Sequence, residues 1–119
     1  MTTYELHRDK TTPNTFRWNR DVDGVPFAFY IPQNCVPNPP PERIKVGFSA
    51  GPADVEAVKA DIKAVVQSHP EPSKREHSGT VRYVPIGDRE TWQIGEPYIP
   101  KTALPQPWPR KLYMFVAWN

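Results

Sequence analysis

The chain has 119 residues, enough for one compact domain, and its 15 basic and 13 acidic residues leave a net charge of +2. That near balance lacks both the strong basic footprint of a dedicated duplex binder and the acidic excess of a nucleic-acid mimic. A single cysteine, Cys35, excludes an internal disulfide, and no apolar run approaches the length of a membrane span.

Tyr4 to Arg8 reads as a first strand and Lys10 to Asn14 as a turn. Thr15 to Arg20 alternates, with Phe16 and Trp18 on one face and Thr15 and Arg17 on the other. Asp23-Gly24 is a strong hairpin signal. Phe27, Phe29 and Ile31 share the inner face of the next strand, which Pro32 ends. A proline arm follows, and then a strand over Ile44 to Phe48. Pro52 to Ser68 reads as a helix. Gly51-Pro52 suits its start, Asp54 and Glu56 suit its positive end, and Val55, Val58, Ile62, Val65 and Val66 form one apolar stripe. Pro70 to Ser78 reads as a polar connector. Strands are expected again at Thr80 to Val84, Thr91 to Ile99 and Leu112 to Trp118.

The chain repeats itself. Tyr30 to Ala50 (YIPQNCVPNPPPERIKVGFSA) aligns without a gap to Tyr98 to Trp118 (YIPKTALPQPWPRKLYMFVAW), and TFRW at Thr15 matches TVRY at Thr80. Prolines 37, 39 and 41 recur as 105, 107 and 109. A duplicated unit of this size points to two similar halves related like the subunits of a fused homodimer. The expected fold class is therefore α+β: two β-rich pseudo-two-fold repeats (β-β-β each) forming a sheet or barrel-like core, with one amphipathic helix between them. The single domain, 1–119, divides into repeat one at about 4–51, a connecting helix and linker at 52–78, and repeat two at 79–119.

No motif for catalysis or metal binding stands out. His7, His69 and His77 fit no ligand spacing, and Asp21-Val22-Asp23-Gly24 lacks the later glycine and glutamate of a calcium loop. There is no G-x-S-x-G elbow and no glycine-rich phosphate cradle. Glu90 and Glu96 read as a solvated face. Cys35 has Ala103 as its counterpart, which marks a small packed residue. No catalytic residue, cofactor or metal is expected.

Two features point to binding. Arg17 and Arg82 occupy equivalent places beside Trp18 and Tyr83, and with Arg20, Arg89 and Lys101 they could build a basic, ring-lined surface on the pseudo-two-fold. Cations for phosphate and flat faces for bases are what single-stranded nucleic acid requires. Neighbouring strand residues face opposite ways, however, so core rings beside arginines that are solvated or paired with Asp21, Asp23 or Asp88 are the plainer reading. The second feature is the set Trp108, Tyr113, Phe115 and Trp118. The last strand is apolar on both faces, so either the helix or a partner covers it. The arms themselves are read as packing on their own halves, with Tyr30 or Tyr98 stacked on the prolines.

The segment YIPKTAL, Tyr98 to Leu104, resembles a strand end of the swapped-hairpin transcription factors of the AbrB type, in which two copies make a DNA-binding barrel. The resemblance is confined to those residues and lacks that family's glycine-aspartate turn. It implies, by analogy, a DNA-facing pseudo-dimer. The reading is thus a small non-enzymatic, cytoplasmic interaction module, a monomer or homodimer without membrane association. Nucleic acid is the first candidate partner. A protein partner docked on the aromatics is the alternative, and an enzyme whose carboxylates converge only in the fold is the third reading.

Overall fold

The structure is a computed structural model that describes residues 1–69 and 79–118. The described residues form eight strands: β1 (Thr3–Thr11), β2 (Thr15–Val22), β3 (Val25–Pro32), β4 (Arg43–Ser49), β5 (Ile62–Ser68), β6 (Thr80–Pro85), β7 (Tyr98–Pro100) and β8 (Lys111–Ala117). One short helix, α1 (Pro52–Glu56), lies between β4 and β5. The strands close into a barrel in the order β1-β2-β3-β7-β6-β5-β8-β4, with every neighbouring pair antiparallel.

This architecture overturns the α+β assignment. The expected helix over Pro52 to Ser68 stops at Glu56, and Ile62–Ser68 is a full barrel strand between β6 and β8. Side-chain period decides the matter. Val66 is fully buried while its neighbour Val65 is 36% exposed. A helical stripe would have placed both on one face, whereas a strand sends them to opposite sides. Each half therefore carries four strands, not three, and of the helix expected between them only the five-residue α1 forms. The expected strand from Thr91 to Ile99 also shrinks to Tyr98–Pro100, preceded by a 3₁₀ turn at Arg89–Thr91. Pro97 lacks the N–H that a longer ladder would require. The Pro70–Ser78 connector and His77 lie outside the described residues.

Exchanging β1–β4 with β5–β8 returns the same strand order read in the opposite sense. Gly47 pairs with Phe115 between β4 and β8, and these are counterparts in the aligned segments. A pseudo-two-fold therefore passes between them. Ile31 and Ile99 are both fully buried in the same core.

Alternation fills the interior. Leu6, Trp18, Phe27, Phe29, Ile44, Val46, Val66, Tyr83, Leu112, Met114 and Val116 point inward and form one cluster. Glu5, Lys45, Lys63 and Lys111 stand on the outside. An eight-stranded barrel is just wide enough for side chains to fill, so this is a packed core and not a pore. Among the described residues no helix is long and apolar enough to cross a membrane.

The Asp23-Gly24 hairpin forms as its residues require. Asp23 and Gly24 take φ of 53° and 81°, and the Gly24 N–H donates to Asp21 Oδ1 at 2.7 Å. Asp21 is thus occupied in closing the turn.

Candidate functional site: the second proline arm and its neighbours

The two proline arms are the longest irregular connections that repeat. Arm one joins β3 to β4 and arm two joins β7 to β8. Each passes the two strands that lie between its ends in the barrel order. Because β3 and β7 are antiparallel, the arms lie at opposite mouths of the barrel.

Each arm opens with a 3₁₀ turn, Gln33–Cys35 in one and Lys101–Ala103 in the other, and the two turns share one backbone pattern. The Gln33 N–H donates to Asn14 O at 2.9 Å, and the Lys101 N–H to its counterpart Gly79 O at 2.8 Å. Both arms carry a cis X–Pro bond at the same place, Asn38–Pro39 and Gln106–Pro107. From inside the barrel the aromatic of each T-[FV]-R-[WY] strand holds the far end. Trp18 Nε1 donates to Pro41 O at 3.1 Å, and Tyr83 Oη donates to Pro109 O at 2.7 Å. Burial pushes the Tyr83 hydroxyl up to about 12, which keeps it a donor. The core rings Trp18 and Tyr83 clasp the arms by these hydrogen bonds.

Held alike, the arms differ in chemistry. At the positions of Lys101, Trp108 and Arg110 in arm two, arm one has Gln33, Pro40 and Glu42. Glu42 is ion-paired to Arg8 at 2.7 Å. In arm two, Lys101 Nζ sits 5.3 Å from the Trp108 ring centroid, and Trp108 is 39% exposed. From Pro97 to Asn119 the sequence has three cations, Lys101, Arg110 and Lys111, and no carboxylate side chain. Beside arm two, Arg110 and Lys111 join Gln67 and Ser68 around a notch of about 370 Å³. The Ser68 N–H donates to Arg110 O at 2.7 Å, tying the arm to the end of β5.

The other expected cations are placed differently. Arg17 and Arg82 lie on the outer face of β2 and β6, separated in the barrel order by β3 and β7. Each is opposite a tyrosine in register, Arg17 with Tyr30 and Arg82 with Tyr98, not beside an outward Trp18 or Tyr83. Arg17 makes two bonds to Asp9, at 3.0 and 2.6 Å, and Arg82 Nε bonds Glu96 Oε2 at 2.6 Å. A register shift between Arg8 and Lys10 in β1 brings Asp9 to Arg17. The partners are therefore Asp9 and Glu96 in place of Asp21, Asp23 or Asp88. Arg20 lies 5.9 Å from the Tyr4 ring and Arg89 5.3 Å from the Trp92 ring. An ion pair cancels charge at long range, whereas a ring leaves the cation's charge in place. Of the five cations, Arg17 and Arg82 are thus ion-paired, while Arg20, Arg89 and Lys101 each lie over a ring.

The four expected partner-binding aromatics also separate. Phe115 is 2% exposed, packed with Val55 of α1 and with Ala117. Tyr113 is half-buried at the edge of that cluster. Trp118 is half-buried beside a second notch lined by Glu5, Arg43, Ile44 and Lys45. Strand β8 runs between Trp108 and Trp118, which puts those two rings at opposite ends of the barrel. Arg110 and Lys111 are the site residues that sequence reasoning passed over. The signal for them was the lack of any Asp or Glu after Glu96.

The Arg17 guanidinium holds the Asp9 carboxyl below the usual carboxylate range, chiefly through the side-chain hydrogen bond. A depressed folded-state value means the pair adds stability above the unfolded value and loses it as pH falls through the folded one. Both side chains are about a third exposed, so screening limits the pair to about 1 kcal/mol or less. Asp9→Asn should therefore melt below the parent chain at neutral pH, and the gap should close in acid. A gap that stays constant down through the carboxylate range would contradict this role for the pair.

Among the described residues no group of three or more His, Cys, Asp or Glu is placed to hold a metal ion. No family model, no curated protein and no solved structure matches the chain.

Proposed function

We propose that the protein is a small binding module for nucleic acid and that the second proline arm is its contact surface. One observation carries the proposal. The repeat acts as an internal control, because both arms keep the same turn, the same clasp and the same proline spacing. Whatever the scaffold needs is met in arm one by Gln33, Pro40 and Glu42. Lys101, Trp108 and Arg110 are extra to that need. An exposed indole amid cations on a carboxylate-free stretch matches the chemistry of a phosphate chain bearing flat bases. Nothing in this reading calls for catalysis.

The alternative of a protein docked on Trp108, Tyr113, Phe115 and Trp118 has less support, because α1 covers Phe115 and the two tryptophans face different ends.

Fluorescence polarisation with labelled oligonucleotides tests the proposal. Affinity should fall steadily as salt rises, since neutralising a phosphate releases a counterion. If Lys101, Arg110 and Lys111 each meet one phosphate of a single strand, the log–log slope carries about −2 from these residues. Replacing all three by Ala should remove that share. An absence of binding at low salt, or a triple variant with an unchanged slope, would overturn the reading.

A further inference from the structure

Resting on that reading, we infer that the ligand is single-stranded, with one base stacked on Trp108 and the adjoining phosphate seated in the notch of Gln67, Ser68, Arg110 and Lys111. The two halves of the site are neighbours by covalent geometry. Two residues of chain span at most about 7 Å, so Trp108 and Arg110 fall within reach of one nucleotide. The arm cannot drift from the notch, because Tyr83 holds Pro109 and Ser68 holds Arg110, at 2.7 Å each. The stacking platform and the phosphate seat are thus fixed on either side of a clamped Pro109.

The indole explains why the strand must be single. A base inside a duplex shows its edges to the grooves and its faces only to other bases. A ring can take a base face only where the base is unpaired and splayed out. Lys101 sits over the same indole and adds charge without blocking all of it, since the residue keeps 39% exposure. In arm one the counterpart of Trp108 is Pro40, which offers no such face. The stoichiometry is therefore one strand per chain, at one mouth of the barrel.

The test uses the full chain with three probes of equal length, a single-stranded oligonucleotide, its duplex and an abasic version with the same phosphates, and titrates the single strand at several salt concentrations. The single strand should bind at least about tenfold tighter than the abasic probe, the usual contribution of one stacked base. Trp108→Ala should bring intact and abasic probes to the same affinity while leaving the salt slope unchanged. Trp108→Phe should restore most of the difference. Arg110→Gln should do the converse, lowering the slope and sparing the preference for intact bases. A duplex that binds as well as the single strand, or an abasic probe that matches the intact one on the parent chain, overturns the single-strand inference and leaves the nucleic-acid proposal standing. Failure of all probes removes both.

Discussion

Trp18→Ala should lower the free energy of unfolding by about 3–5 kcal/mol, the usual cost of removing a fully buried large aromatic. Three losses combine at that position. The indole is the largest of the fully buried side chains, so its removal leaves a cavity in the core cluster to which Leu6, Phe29 and Ile44 also belong. Its edge-on contact with Phe16, at 6.1 Å, also goes. The third loss is the bond to Pro41 O, which releases the end of arm one next to the Glu42–Arg8 pair. Urea unfolding gives the total. Hydrogen exchange separates the parts, because the Arg8 N–H donates to Glu42 O and should exchange faster once the arm is free. Tyr83→Phe is the contrasting variant at the equivalent place. It keeps the ring and loses only the hydroxyl donor, so about 1 kcal/mol should suffice. If Trp18→Ala and Tyr83→Phe cost the same, the clasp rather than the ring volume dominates, and the account of the core is wrong.

The sequence disclosed the repeat because both halves must satisfy the same contacts. Aromatic strands need a proline-arm carbonyl to bond, and the arms need prolines to hold their path. Alternation was readable at Phe27, Phe29 and Ile31 for the same reason, since one face meets the core and the other meets water. The Pro52 to Ser68 segment imitates a helix because Val55, Val58 and Ile62 do fall at helical spacing. Val55 belongs to the Phe115 cluster outside the barrel and Val58 borders it, whereas Ile62 belongs to the core inside. A single periodic stripe was thus assembled from residues that serve two different surfaces. Only the adjacent pair Val65–Val66 carried the contrary signal, and a pair is too short to decide a period. Asp9 and Glu96 were invisible as partners of Arg17 and Arg82 for another reason. One arrives through a register shift and the other from a loop-bound stretch before β7, and neither position follows from spacing along the chain. The choice between an open sheet and a closed barrel stayed open too, because β3 meets β7 through one registered pair, Ala28 with Tyr98. In arm two, Lys101 and Trp108 were legible as residues, but their proximity was not.

Gly47→Ala should destabilise the barrel by about 1–3 kcal/mol, the range for overpacking a filled site. A β-carbon at position 47 would overlap the Phe115 ring, with Cε1, Cζ and Cδ1 its nearest atoms. The ring cannot swing away without disturbing Val55 and Ala117, which bury it to 2% exposure. Phe115→Ala alone should cost about 3–5 kcal/mol through the cavity it leaves beneath α1. The informative measurement is the double variant. With the ring gone, a methyl at position 47 has space, so Gly47→Ala in the Phe115→Ala background should cost close to nothing. The two effects should fall short of additivity by about the whole Gly47→Ala cost. Strict additivity would mean that something other than the ring keeps position 47 small. The reason for expecting coupling is geometric. Gly47 and Phe115 face each other across the pseudo-two-fold, where counterparts must share one volume. Two glycines would leave that volume empty and two phenylalanines would collide in it. A true homodimer has only those two choices at its axis, whereas a fused chain can fill the space once, from one side, and lay a single short helix over the result.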